Sequence, residues 1–328
     1  MPDAPADPSS ETTSGAPSPI AIALGLVRLA RPKQWLKGAF VFIGPTYALA
    51  DGFDIPYLDV IATFVAFGLA ASGCYVVNDL ADRELDRTHP RKKKRPIASG
   101  LVAPGLATIY AAALFVASLL TLLLVGADQR LATGATVVIY TVNVLLYSAG
   151  LKRLAILDVL LLSLGFVLRT LGGCAAAGVE PSTWLLNVTL FVAMFLAFGK
   201  RLGERRTMAA AGAEASSARK VQLAYSDELL RMAVVVTAVA TLITYAGYVQ
   251  TREDGYTHGF NLLWLTMLPA TYGLFRAMTL LERGDYDDPT VLATKDIPFQ
   301  LSSGLFVAMT LTLALLRTAG FFTETGGA

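Results

Sequence analysis

Mostly apolar runs recur along the chain at about 36–50, 58–78, 104–126, 131–149, 154–173, 183–199, 229–249, 260–280 and 299–322. Apolar residues cover every face of these runs when they are wound as helices, which is the pattern of segments embedded in lipid or in a bundle core. Most approach the roughly 20 residues needed to cross the hydrocarbon of a bilayer. The pattern predicts an all-α fold, a polytopic membrane helix bundle of about nine transmembrane helices. The first run is the weakest, being short and broken by Gly44 and Pro45. Ile20 to Ala30, apolar with Arg28 and Arg31 near one end, predicts an interfacial helix leading into it. No internal repeat of fixed period is visible, and an odd number of spans does not suit a duplicated transporter.

Residues 1–19 contain five of the 15 prolines together with Ser, Thr, Gly and Asp. They cannot bury enough surface to order themselves and predict a disordered tail ahead of a single membrane-embedded domain over 20–328. No basic stretch precedes a short apolar one there, so no cleaved signal peptide is expected. The chain of 328 residues is 54% hydrophobic and 16% charged, with a mean hydropathy of +0.55, against about 45–50% and about 25% for soluble domains. This excludes secreted disulfide scaffolds and soluble nucleic-acid binders. Cys74 and Cys174 have no CxxC neighbour and no His at metal spacing, and read as packing residues.

Charge changes the picture once it is placed along the chain. If all nine runs span, 23 of the 27 Lys and Arg fall on one side of the membrane. Arg130 and Arg252 fall on the other, and Arg169 and Arg317 lie within spans. By the positive-inside rule the crowded side is cytoplasmic, with the N-terminus inside and the C-terminus outside. The expected orientation therefore has the chemistry facing the cytoplasm.

The sharpest candidate chemistry follows the second run: Asn78-Asp79-Leu80-Ala81-Asp82-Arg83-Glu84-Leu85-Asp86. At about 100° per helical residue, Asp79, Asp82 and Asp86 share one narrow stripe, Asn78 lies beside Asp82, and Glu84 points the opposite way. Three carboxylates so close repel one another unless a cation sits between them, and oxygen ligands that leave positions for water and phosphate suit Mg²⁺. A solvated acidic helix end paired with nearby bases is the plain alternative. His89, Pro90, Arg91, Lys92, Lys93, Lys94, Arg95 and Pro96 follow, so that Asn78–Arg95 carries seven basic and four acidic residues. For Lys92 and Lys93 headgroup attraction suffices, whereas Arg95, fixed by Pro96 beside the stripe, is a candidate phosphate ligand.

Two further clusters lie on the same side. Tyr147, Lys152 and Arg153 precede Asp158 and Arg169, which are 11 residues apart and so look into the same interior, where an ionisable residue in a span belongs. Gly172 and Gly173 would let neighbouring helices approach closely. After the sixth run come Lys200, Arg201, Leu202, Gly203 and Glu204, with Arg205 and Arg206 beyond. Either a structural pairing or a solvated end would also account for these clusters. The acidic loop Asp285 to Asp288 has no assigned role.

Taken together these residues resemble the UbiA superfamily of intramembrane transferases, nine-helix proteins with a cytoplasm-facing polar cavity and an NDxxDxxxD metal motif. Asn78, Asp79, Asp82 and Asp86 match that motif in full, and the resemblance runs from about residue 28 to 300. Aromatic prenyltransferases of the superfamily carry a second aspartate-rich motif of the DxxxD kind, which this sequence replaces with Lys200-Arg201-Leu202-Gly203-Glu204. The chain is most similar to the branch that transfers 5-phosphoribose from phosphoribosyl pyrophosphate (PRPP) to a polyprenyl phosphate. The matching pieces are Arg31 to Lys37, Asn78 through Ile97, Tyr147-Ser148 with Lys152, Asp158 with Arg169 to Gly173, and Gly199 to Arg201 with Glu204. Gly38 departs from that branch, which usually has Asn there.

The resemblance implies a Mg²⁺-dependent glycosyltransferase of the pentosyltransferase type, with PRPP and a polyprenyl (decaprenyl) phosphate lipid as its partners. Asp79, Asp82 and Asp86 would hold Mg²⁺ against the pyrophosphate. Lys37, Asn78, Arg95, Tyr147, Lys152, Asp158, Arg169 and Glu204 would shape the ribose and phosphate site, with Lys200 and Arg201 on the 5-phosphate or the lipid phosphate. The expected product serves cell-envelope arabinan or glycan precursor synthesis. The sequence leaves a homo-oligomer open. The alternatives are a UbiA-type aromatic prenyltransferase of quinone or haem synthesis, and a transporter using Asp158 and Arg169.

Overall fold

A computed structural model describes residues 18–88, 92–210, 224–283 and 295–322, the side chains of 207–210 excepted. The expected tail up to residue 17, His89, Arg91, Arg219, Lys220 and the Asp285–Asp288 loop lie outside the described residues. The described chain is nearly all helical, and its only β feature is an isolated bridge between Thr257 and Asn261.

The helices are α1 (Pro19–Ala30), α2 (Ile43–Ala50), α3 (Tyr57–Ala81), α4 (Arg83–Thr88), α5 (Pro104–Thr121), α6 (Ala127–Ala149), α7 (Leu157–Ala177), α8 (Thr183–Ala210), α9 (Asp227–Thr251), α10 (Met267–Arg283) and α11 (Ile297–Thr318). Seven described segments are long and apolar enough to cross a membrane: Tyr57–Ala81, Pro104–Leu124, Ala127–Ala149, Leu157–Ala177, Thr183–Arg206, Asp227–Thr251 and Ile297–Thr318. The chain is thus a multi-pass membrane protein.

The other two expected spans take composite form. Residues Pro32–Phe42 wind as a 3₁₀ helix that passes into α2, and Leu262–Thr266 form 3₁₀ turns that pass into α10. Each has a proline at the junction. Pro45 lacks the N–H that would bond to the Val41 carbonyl, and Pro269 the one for Leu265, so neither run continues as a uniform α-helix. The freed Val41 carbonyl faces Gly173, where any Cβ would collide with it. Gly44 likewise sits against Cys174 Sγ. Gly173 thus makes its close approach to the Pro32–Ala50 segment, where Cys174 packs as a free thiol, as Cys74 does elsewhere, whereas Gly172 lies against Phe67 and Thr136.

Sequential helices pack pairwise, α3 on α5, α6 on α7, α8 on α9 and α10 on α11, which is what short connections dictate. One apolar core joins Val41, Phe67, Val137, Tyr140 and Leu168, and a second joins Val159, Phe195, Leu202, Leu230 and Leu281. α7 contributes to both. At one end of the bundle Asp51 accepts from Arg252 at 2.8 Å and from Arg317, tying together the ends of α2, α9 and α11. Arg317, expected within a span, thus emerges beside Arg252 and shares its carboxylate. The Asp79 end of α3, about 37 Å away along a helix of this length, carries the candidate chemistry.

Candidate active site

α3 runs to Ala81, where Asp82 (φ −88°, ψ 2°) closes it, and α4 restarts the helix at Arg83. Asp82 N bonds to Asn78 O and Asp86 N to Asp82 O, both at 2.9 Å, so the helical path persists through the break and keeps the acids on one side. Asp79 and Asp86 are buried, Asp82 is 31% exposed, and Glu84 faces solvent between Arg83 and Arg87. The angular reading of the sequence is matched in this respect.

Each buried carboxylate is met by cations. Arg95 Nη1 lies 3.0 Å from Asp79 Oδ1 and 2.7 Å from Asp86 Oδ2, bridging the two. Arg31 Nη2 donates to the same Asp79 oxygen at 2.7 Å, its guanidinium 4.8 Å above the Tyr75 ring. Lys92 Nζ is 3.9 Å from Asp86 Oδ1. Lys152 Nζ stands 3.5 Å from both Asp82 Oδ2 and Asn78 Oδ1, and Asn78 Nδ2 is 3.4 Å from Asp82. Among the described residues no three His, Cys, Asp or Glu side chains converge as a ready metal cage. The donors are nonetheless hard oxygens in one helical stretch. Mg²⁺ commonly uses one or two carboxylates plus phosphate oxygens and water rather than an all-protein cage, and Asp82 is the carboxylate with the most open surface.

Arg31 is absent from the site set drawn from the sequence. It closes α1 in the left-handed conformation (φ 51°), uncommon for a residue with a side chain. Ser72 Oγ holds that turn, 2.7 Å from the Ala30 carbonyl, while accepting from Trp35 Nε1 at 3.0 Å. Lys37, half-buried, follows on the Pro32–Phe42 segment. The signal that could have identified Arg31 is its place in Arg31-Pro32, where a proline fixes the chain directly after a basic residue.

Behind the stripe lies a second network. Arg201 donates from Nε to Asp158 Oδ2 at 2.9 Å, from Nη1 to Glu204 Oε2 at 3.0 Å and from Nη2 to Tyr147 Oη at 3.3 Å. Only 2% of its side chain is exposed. A guanidinium with three protein partners and so little surface is oriented to brace α7, α8 and the end of α6, whereas the sequence pointed to a substrate phosphate. Lys200, its neighbour, is half-buried. Tyr225, also missed, donates to Asp158 Oδ1 at 2.7 Å and accepts from Ile156 N at 2.6 Å. Ile156 itself has φ +69°, so this hydroxyl secures a strained turn just after Lys152 and Arg153. Burial and the Asp158 carboxylate push the Tyr225 phenol up to about 12, so it remains a donor at physiological pH.

Asp158 and Arg169 are both buried, as expected, but do not meet. Arg169 donates to Tyr140 Oη at 2.7 Å and Gly165 O at 2.8 Å, and its guanidinium sits 4.3 Å from the Tyr140 ring.

Residues 38–304 match the profile of the UbiA prenyltransferase family. The chain is 34% identical over 310 residues to the decaprenyl-phosphate phosphoribosyltransferase of Mycolicibacterium smegmatis, covering 92% of this chain and 94% of that protein. It is 34% identical over 282 residues to the enzyme of that name from Corynebacterium glutamicum, covering 85% and 83%. The fold is similar to the structure of a UbiA homolog from Archaeoglobus fulgidus bound to GPP and Mg²⁺, with a TM-score of 0.65, 19% identity and coverage of 89% of this chain and 99% of that one.

Proposed function

The chain belongs to the UbiA prenyltransferase family, and on that basis we propose that it is a polyprenyl-phosphate phosphoribosyltransferase. It transfers 5-phosphoribose from PRPP to a polyprenyl phosphate, decaprenyl phosphate being the acceptor in the names of its relatives. Pyrophosphate leaves, and polyprenyl-phosphoryl-5-phosphoribose results, a precursor for cell-envelope arabinan or glycan synthesis.

The observation that carries this reading is the crowding of cations on the stripe. Arg31, Lys92, Arg95 and Lys152 all meet Asp79, Asp82 or Asp86, which suits a donor bearing both a pyrophosphate and a 5-phosphate. Asp79, Asp82 and Asp86 would hold Mg²⁺, which when bound offsets charge developing on the departing pyrophosphate. Arg95 and Arg31 orient the pyrophosphate oxygens through charge-assisted bonds, and Lys152 with Asn78 positions the ribose end. Lys37, Tyr147 and Lys200 line the approach, and Arg169 supplies a buried cation for phosphate deeper in the bundle. Arg201, Asp158 and Glu204 keep α7 and α8 in register behind them. The acceptor is already an anion and needs no strong general base. Its oxygen bonds to C1 as the C1–pyrophosphate bond breaks, with inversion through an oxocarbenium-like transition state.

The cytoplasmic face of a bacterial inner membrane is the setting that fits a soluble donor and the 23-to-two split of basic residues. Mass spectrometry of lipids formed when purified protein meets PRPP, Mg²⁺ and a mixed polyprenyl phosphate pool tests the reading. The expected product gains one phosphoribosyl group, and an unchanged pool contradicts it.

A further inference from the structure

We propose that the groove at the end of α1 binds the phosphate monoester head of the lipid acceptor, with the start of its chain lying along the outer stripe of α1. The groove is a hollow of about 520 Å³ lined by Val27, Arg28, Arg31, Pro32, Lys33 and Gln34. Three of these six side chains are cationic and none is acidic. Arg28 and Lys33 are exposed, and among the described residues neither has an acidic partner. The identity of the acceptor rests on the phosphoribosyltransferase reading above, whereas the site itself rests on this geometry.

Two features point to a lipid rather than a soluble anion. Ile20, Leu24 and Val27 are all more than half exposed and, four and three residues apart, form one face of α1 that leads straight to the cations. The opposite face, Gly25 and Leu29, is buried against Val102, Val76 and Ile97. A helix whose outward face is apolar and whose end is basic suits an acyl or prenyl chain followed by an anionic head. A phosphate monoester carries close to two charges at neutral pH, matching the two exposed cations Arg28 and Lys33 better than the single charge of a phosphodiester lipid.

The groove is also rigidly connected to the chemistry. Ser72 and Trp35 clamp the turn onto α3, and Trp35 packs flat against Gly68, where a Cβ would lie 2.7 Å from the indole. Arg31 belongs to the groove lining and to the Asp79 ion pair at once. A phosphate in the groove is thereby set beside the carboxylate stripe.

The test compares Arg28→Ala/Lys33→Ala with Lys93→Ala/Lys94→Ala, an equal charge change on the same face, in phosphatidylcholine nanodiscs. The groove variant should raise KM for polyprenyl phosphate about tenfold or more, with KM for PRPP within about twofold, and the control should shift neither. A binding arm omits PRPP and Mg²⁺: farnesyl phosphate should raise the melting temperature of wild type but not of the groove variant, while farnesol, inorganic phosphate and phosphatidylglycerol should not. Equal rises in both KM values, an unchanged lipid KM, or equal protection by inorganic phosphate or phosphatidylglycerol would overturn the proposal. If wild type transfers no phosphoribose, the functional reading fails, and the binding arm still decides the groove.

Discussion

Asp158 and Arg201, 43 residues apart in sequence, form an ion pair with almost no access to solvent, Oδ2 and Nε lying 2.9 Å apart. The pair fastens the start of α7 to the C-terminal half of α8. Tyr225 completes it from the segment leading into α9. Removing one partner from such a pair leaves an uncompensated buried charge, at a cost of about 3–5 kcal/mol. Asp158→Ala and Arg201→Ala should each lower thermal stability in detergent strongly. A double-mutant cycle should show the two losses to be far from additive, and additive losses would mean the pair is not coupled.

At the carboxylate stripe, Asp82→Asn and Asp86→Asn should abolish turnover because an oxygen ligand is lost, and Asp82→Asn, whose carboxylate is partly exposed, should do so with little change in melting temperature. Glu84→Gln should be far milder because Glu84 faces solvent between Arg83 and Arg87. Chelation with EDTA should stop transfer and added Mg²⁺ restore it. Equal losses in all three variants would contradict the stripe.

Asp296 caps α11 through Phe299 N and accepts two bonds from Arg276, at 3.1 and 2.8 Å. These Arg276 bonds, with the cap, hold its carboxyl below the usual range. A carboxylate whose folded pKa is depressed contributes stability that is full above its unfolded value and is lost as pH falls through the folded one. Melting temperature measured from pH 6 downward should therefore fall less steeply in Asp296→Asn than in wild type. Parallel curves would show that this carboxylate does not couple to folding.

Topology is tested by single cysteines on a background lacking Cys74 and Cys174. Cysteine at Lys93 or Arg205 should resist an impermeant reagent in intact cells, while cysteine at Thr257 should react. Labelling from outside at position 93 would reverse the orientation.

The apolar runs are legible because lipid demands side chains apolar all round, and seven of them form the continuous spans expected. Pro45 and Pro269 are visible too, yet only the structure shows that each turns its run into a 3₁₀-to-α composite. Asp79, Asp82 and Asp86 are legible as a stripe because they are local in sequence. Their counter-ions are less so: Arg95, 16 residues from Asp79, stands out in the sequence only as a candidate phosphate ligand, and Arg31, 48 away, does not stand out as a site residue. For Arg201 the residue type was legible and its orientation was not. Nothing in its neighbourhood announces the Asp158 carboxylate on α7 or the Tyr147 hydroxyl on α6. Asp158 and Arg169 are both buried, but their spacing does not bring them to shared partners: Asp158 meets Arg201 and Tyr225, and Arg169 meets Tyr140 and Gly165.

The most direct measurement of the central claim follows radiolabel from ribose-labelled PRPP into an organic lipid extract. Label should enter the extract only when purified protein, Mg²⁺ and a polyprenyl phosphate are all present, while a prenyl diphosphate with 4-hydroxybenzoate should yield no prenylated product. If the label stays in the aqueous phase and the aromatic acceptor is prenylated, the phosphoribosyl reading is contradicted.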